Sequence, residues 1–204
     1  TQMTWSDATI PSIINWWNGY SFVLDFSNPL AVEWFKSRLS SMVSEYGLDG
    51  FKFDAGDPEY YPENAVSYEN ITSNEHTRLW GLFGLEYPMN EYRAMWQRGN
   101  EPIVERLRDK FHTWSDLKKL VPHITIASLL GYTFTCPDMI GGGDYSSFIS
   151  DAKLDQELIV RAAQCHALMP MMQFSVAPWR VLDQEHLEAV KKAVAIRQSF
   201  IPEI

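Results

Sequence analysis

Apolar residues recur along the chain at two spacings, and the spacing switches at turn residues. Residues 20–26 read as a strand, stopped by Ser27-Asn28-Pro29. That triplet supplies a capping side chain and a first-turn proline. It predicts a helix over residues 30–46, with Val32, Phe35, Leu39, Met42 and Val43 on one face and Gly47 as terminator. Phe51-Lys52-Phe53, bounded by Leu48-Asp49-Gly50 and Gly56, reads as a buried strand. Its period of two puts Phe51 and Phe53 on one face, against helices, and Lys52 and Asp54 on the other.

Residues 1–18 read as a loop entering the first strand, and residues 57–73 as a long loop over the carboxyl ends of the strands, a place that carries function. Helices are predicted over residues 75–85, 113–130 (capped by Thr113 or Ser115), 154–167 and 184–200. Strands are predicted within 89–96 and 102–107, and over 133–136 and 169–174; Gly141-Gly142-Gly143 reads as a flexible loop. Six strands alternating with helices give an α/β fold with parallel pairing and right-handed crossovers. Six are too few to close an eight-stranded barrel.

Composition narrows the function classes. The 204 residues are 46% hydrophobic and 21% charged, with a net charge of −9, which argues against a nucleic-acid or anionic-membrane surface. Eight Trp, nine Tyr and eleven Phe suit a sugar-binding cleft as well as a large core. Cys136 and Cys165 have no metal-ligand spacing and read as free thiols. The five histidines show no ligand spacing either, so no metal and no cofactor is expected. No apolar run reaches the roughly 18 residues of a membrane span. No signal peptide opens the chain, and Thr1 reads as an internal cut. Asn70-Ile71-Thr72 is a glycosylation sequon, meaningful in the secretory or extracellular setting that this reading favours. The oligomeric state is left open.

The candidate chemistry starts at Asp54. A carboxylate at the end of a barrel strand, beside the Lys52 ammonium, stays ionised as a nucleophile must. A Lys–Asp pair inside a structural polar network is the alternative. The stretch Gly50-Phe-Lys-Phe-Asp-Ala-Gly-Asp57 resembles the nucleophile signature of the retaining α-glycosidases of glycoside hydrolase family 31. Trp16-Trp17-Asn18-Gly19, Leu24-Asp25-Phe26-Ser27-Asn28-Pro29, Pro137-Asp138-Met139-Ile140-Gly141-Gly142 and Met172-Gln173-Phe174-Ser175 extend the resemblance in order along the chain. It implies a (β/α)8 TIM-type barrel, of which this chain corresponds to strands three to eight. Residues 1–204 would then be one catalytic barrel domain without the first two barrel strands and the accessory β domains, leaving two exposed sheet edges.

The resemblance also implies roles. Asp54 is the nucleophile and Asp109, followed five residues later by Trp114, the acid/base, with carboxyls about 5–5.5 Å apart. Arg108 stands where most of the family has Gly. Glu105 and Asp116 are the alternative acids, Asp116 reading as part of a solvated helix face. Phe111 and Trp114 would supply the less polar surroundings a general acid needs. Lys52, Arg93 and Asp138 match sugar-binding positions; a surface ion pair is the other reading of Arg93. Asp25 matches a pocket aspartate or makes an Asx turn before Pro29. Trp17 and Trp179 form apolar walls, with Trp16 behind in the core.

Two departures bear on the substrate: Asp57 replaces Glu, and Gln173-Phe174-Ser175 replaces Arg-Asn-His. Loss of that His points from α-glucoside towards α-galactoside. Trp17 is then expected to close off the equatorial hydroxyl position, and Asp25 or Asp138 to accept from the axial one. The expected activity is retaining hydrolysis of a terminal α-linked hexose in an oligosaccharide or glycoside. The alternative is a glycan-binding or structural relic that no longer turns over.

Overall fold

The computed structural model describes residues 11–143, 148 and 154–204. The chain divides into two compact units, Thr1–Asn90 with Ala94–Gln97, and Glu91–Arg93 with Arg98–Ile204.

The first unit opens on a hairpin. β1 (Ile13–Trp16) pairs antiparallel with β2 (Gly19–Phe22), in register from Ile13 opposite Phe22 to Trp16 opposite Gly19. The strand expected over 20–26 is therefore shorter, and its partner lies in the segment read as a loop. Asn18-Gly19 is the cause: glycine accepts the positive φ of 105° that the tight turn demands. α1 (Pro29–Tyr46) follows the capping signal, with Asn28 Oδ1 accepting from the Leu30 amide at 3.0 Å and Gly47 closing it at φ 66°. β3 (Gly50–Phe53) lies next to β4 (Met89–Tyr92), and a Cβ on Gly50 would collide with the backbone of Met89. α2 (Ser73–Gly84) starts with a reciprocal capping box between Thr72 and Glu75.

The core of this unit is aromatic. Phe53 meets Trp80 edge-on at 5.3 Å, and Phe26 meets Trp80 at 4.9 Å and Phe83 at 5.3 Å. Phe53 is buried in this cluster while Lys52 and Asp54 are exposed, as the period of two requires.

In the second unit, Glu91 and Tyr92 of β4 pair parallel with β5 (Val104–Arg106), which pairs parallel with β6 (Phe134–Cys136). The helix expected over 113–130 is two helices, α3 (Trp114–Leu117) and α4 (Leu120–Leu129). Pro122 explains the break, because in one continuous helix its ring would strike the carbonyl of Lys118. α5 (Gln156–His166) is capped by Asp155, the short α6 (Pro178–Val181) was not expected, and α7 spans Gln184–Phe200 as expected. The strand expected over 169–174 shrinks to one parallel bridge, Ile140 to Phe174. Ile140, Ile159, Val160, Ala163, Val190 and Ala193 make an aliphatic core. The Arg197 guanidinium seals the end of α5 on the carbonyls of Met169 at 2.6 Å and Pro170 at 2.9 Å. Both cysteines are free; Cys136 is buried and Cys165 half-buried. No described helix is long and apolar enough to cross a membrane.

Candidate active site

In the first unit the chain turns sharply after β3. Ala55 has a φ of 62° and Gly56 of 83°, and a Cβ on Gly56 would enter the indole of Trp80. Left-handed backbone at a non-glycine residue costs on the order of 1 kcal/mol and persists only where packing fixes it. Here Thr77 Oγ1 donates to the Gly56 carbonyl at 2.7 Å and helps to fix it.

This turn leaves Asp54 on the wall of a cavity of about 240 Å³, shared with Asp57, Trp16, Phe22, His76 and Trp80. The indole N–H of Trp16 is buried with no partner among the described residues. Trp16, expected in the core, thus lines the cavity, while Trp17 is outside its lining and 61% exposed. His76 Nε2 lies 2.9 Å from the Leu24 carbonyl. A carbonyl only accepts, so this nitrogen carries the proton, and burial holds the ring's pKa below its ordinary range. Neither His76 nor Thr77 stood out in the sequence.

Asp25 lies on a neighbouring cavity of about 350 Å³ with Tyr61 and Asn64. Its carboxylate accepts from Ser27 N at 2.9 Å, Ser27 Oγ at 2.6 Å and Tyr68 N at 2.7 Å. Of the two readings of Asp25, the structure takes the Asx turn.

In the second unit the candidate acid/base, Asp109, sits in an ion cluster. Arg106 Nη1 donates to Asp109 Oδ1 at 2.5 Å and to Asp138 Oδ1 at 2.9 Å, and its Nε lies 3.7 Å from Glu91 Oε1. The Arg106 side chain is 4% exposed and that of Asp109 46%. Burial works against the charge on Arg106; the hydrogen bond and attraction of Asp109, joined by Asp138, outweigh it and raise the pKa above its usual range. Arg106 was not singled out in the sequence. Its signal was the alternation of β5, which turns Arg106 away from the face that bears Glu105.

Asp138 is fully buried at a φ of 150°. Besides Arg106 it accepts from the amides of Lys110 at 2.6 Å and Gly143 at 2.9 Å. Burial pushes its pKa up, while the Lys110 and Met139 amides and Arg106 pull it down. With these donors in place and no exposed surface, Asp138 organises loops rather than meeting a sugar hydroxyl. The Gly141-Gly142-Gly143 segment, read as flexible, is held by close approach. A Cβ on Gly142 would strike the Lys110 carbonyl, and one on Gly143 would stand 2.5 Å from Asp109 Oδ1.

Phe111 and Trp114 do not give Asp109 the apolar surroundings expected of them. Phe111 is exposed, and the Trp114 indole turns to Asp155, donating at 2.8 Å. Asp116 is buried, not solvated, and accepts from the Phe111 amide at 2.7 Å and Lys119 at 2.5 Å. Glu105 lines a different cavity, of about 290 Å³, with Leu107, His123, Ile126 and Leu130, where burial pushes its carboxyl up to about 7. Arg93 follows β4 and is half-buried; Trp179 lies on α6, 72% exposed. Gln173 donates to Glu91, which ties it to the Arg106 cluster.

The model of the glycosyl hydrolases family 31 TIM-barrel domain matches residues 2–106, just over half of the chain. The chain belongs to family 31. Its expected TIM-type fold therefore stands, as part of a barrel, within a family of retaining glycosidases. The myogenesis-regulating glycosidase of Mus musculus is 34% identical over 94% of this chain and 28% of that protein. Lysosomal alpha-glucosidase of Bos taurus is 24% identical over 94% of the chain and 25% of that protein. Among solved structures, a family 31 sulfoquinovosidase from E. rectale, in complex with an aza-sugar inhibitor, superposes with a TM-score of 0.78 at 21% identity. That likeness covers 95% of this chain and 32% of the other. The chain thus spans between a quarter and a third of the length of these family 31 proteins. The family match ends at Arg106, so it covers the Asp54 cavity and stops short of Asp109.

Proposed function

We propose that the protein hydrolyses a terminal α-linked hexose, α-galactoside or α-glucoside, with retention at the anomeric carbon. The observation that carries this reading is Asp54, set by the Ala55–Gly56 turn on the wall of an aromatic cavity whose Trp16 donor has no partner among the described residues. A buried donor without a partner is rare and invites a ligand acceptor, and indole faces suit the C–H face of a sugar.

The reaction takes two displacements. Asp54 attacks the anomeric carbon as the bond to the leaving oxygen breaks, and Asp109 gives that oxygen its proton. The Asp109 carboxylate then takes a proton from water, whose oxygen attacks the same carbon and releases Asp54. Arg93 and Lys52 serve as donors to ring hydroxyls. The α-galactoside preference expected from Trp17, Asp25 and Asp138 is not supported by where these side chains lie, so the sugar is left to experiment.

The test offers the purified protein aryl α-galactoside and α-glucoside and follows the first-formed anomer by NMR. Release of the α-anomer, with a 2-fluoro sugar trapped on Asp54 in the mass spectrum, is the expected result. An inverted product or a label elsewhere overturns it. The second reading, sugar binding without turnover, is favoured by the Arg106 donor that occupies Asp109 Oδ1. Retained binding with no turnover of either sugar would select it.

A further inference from the structure

We propose that Arg106 and the backbone of Gly143 together seat the Asp109 carboxyl, so that Oδ2 alone exchanges the proton with the leaving oxygen. This rests on the reading of Asp109 as the acid/base. Arg106 holds Oδ1 at 2.5 Å from one side, and on the other the Gly143 backbone leaves no room even for a Cβ, which would stand 2.5 Å from the same oxygen. Neither holder moves easily. The guanidinium is 4% exposed and clamped by Asp138 at 2.9 Å; the Gly143 amide donates to Asp138 Oδ2 at 2.9 Å. Asp138 is therefore the common anchor of both.

A carboxyl with Oδ1 fixed as an acceptor presents its proton from Oδ2 in the first displacement. The proton passes to the glycosidic oxygen as the C–O bond to the sugar breaks, and Oδ2 takes one from water in the second. Arg106 and Gly143 touch neither sugar nor leaving group; both act as positioning elements. Glu91, Asp138, Lys110 and Gln173 complete the polar surroundings of the cluster.

The experiment measures kcat and KM for aryl α-glycosides, from dinitrophenyl, whose departure needs no proton, to phenyl. The proteins are the native chain, Asp109→Ala, Arg106→Lys and Gly143→Ala. Asp109→Ala is expected to lose about 10²–10⁴-fold in kcat/KM with phenyl and little in kcat/KM with dinitrophenyl, which reports the first displacement alone. Arg106→Lys and Gly143→Ala are expected to lose roughly 10–100-fold in kcat/KM with phenyl and under about threefold in kcat/KM with dinitrophenyl. Gly143→Ala keeps every charge, so it decides the matter if Arg106→Lys fails to fold. Equal loss across leaving groups in Arg106→Lys and Gly143→Ala, beside a selective loss in Asp109→Ala, overturns this proposal alone. Equal loss in Asp109→Ala itself overturns the acid/base reading and this proposal with it.

Discussion

The two units place their candidate carboxylates by different physics. In the first, interlocked rings (Phe26, Phe53, Trp80, Phe83) fix a left-handed turn, and the turn aims Asp54. In the second, small aliphatic side chains pack the core, and buried charge centred on Arg106 holds Asp109. Ring packing is indifferent to pH, whereas ionisable groups in a low-dielectric interior are not. One carboxylate is thus positioned by shape and the other by charge, and substitutions can tell the two apart.

The largest expected effect is chemical: Asp54→Asn lowers turnover by on the order of 10⁴–10⁶-fold, because an amide cannot attack the anomeric carbon. A residual glycosyl-enzyme in the mass spectrum would move the nucleophile elsewhere. Next comes shape. Gly56→Ala puts a methyl group into Trp80 at a φ of 83°, with an expected loss of about 2–4 kcal/mol in a denaturant titration. An unchanged midpoint would mean that the rings do not fix the turn.

Charge is expected to show as pH dependence in the second unit. Burial raises Glu105 from the ordinary 4.5 to about 7, so its stability contribution is whole below 4.5 and lost as pH rises through 7. Glu105→Gln should therefore gain up to about 3 kcal/mol at pH 8 and nothing at pH 4. His166, with both ring nitrogens buried and without a hydrogen-bond partner among the described residues, is lowered from 6.5 to about 4, chiefly by burial. Its contribution is whole above 6.5 and lost as pH falls through 4, so His166→Leu should flatten the acid side of the stability curve. Parallel pH curves for variant and native protein would refute either assignment. The smallest effect separates two adjacent tryptophans. Trp16→Ala should raise KM roughly tenfold through a lost donor and wall, about 1.4 kcal/mol; Trp17→Ala should alter stability by under about 0.5 kcal/mol and KM hardly at all.

Local chemistry was the legible part of the sequence. Asn28-Pro29 and Gly47 bounded α1 because caps and φ preferences act within a few residues, and the parity of Phe51 and Phe53 put Asp54 on the right face. Family motifs carried the barrel. What escaped was set by groups distant in the chain. Asp138 reads as an acceptor for a sugar until the amides of Lys110 and Gly143 are seen to fill it. Arg106 and Glu105 are neighbours of opposite fate, one buried in an ion cluster and the other half-buried on the wall of a cavity with Leu107 and Ile126. Three glycines in a row look like slack, but their backbone is tight because Lys110 and Asp109 press on it.

The aromatic cluster has an optical consequence. Trp80 is the one buried tryptophan among the described residues, stacked on Phe83 at an interplanar angle of 7° and met edge-on by Phe53. Trp17, Trp34 and Trp96 in the first unit and Trp114 and Trp179 in the second are already in water. Loosening of the first unit should therefore shift the emission maximum to the red and erase near-ultraviolet circular dichroism. The second unit, whose core holds no tryptophan, would melt almost invisibly to both spectra, and its unfolding is read instead by amide exchange.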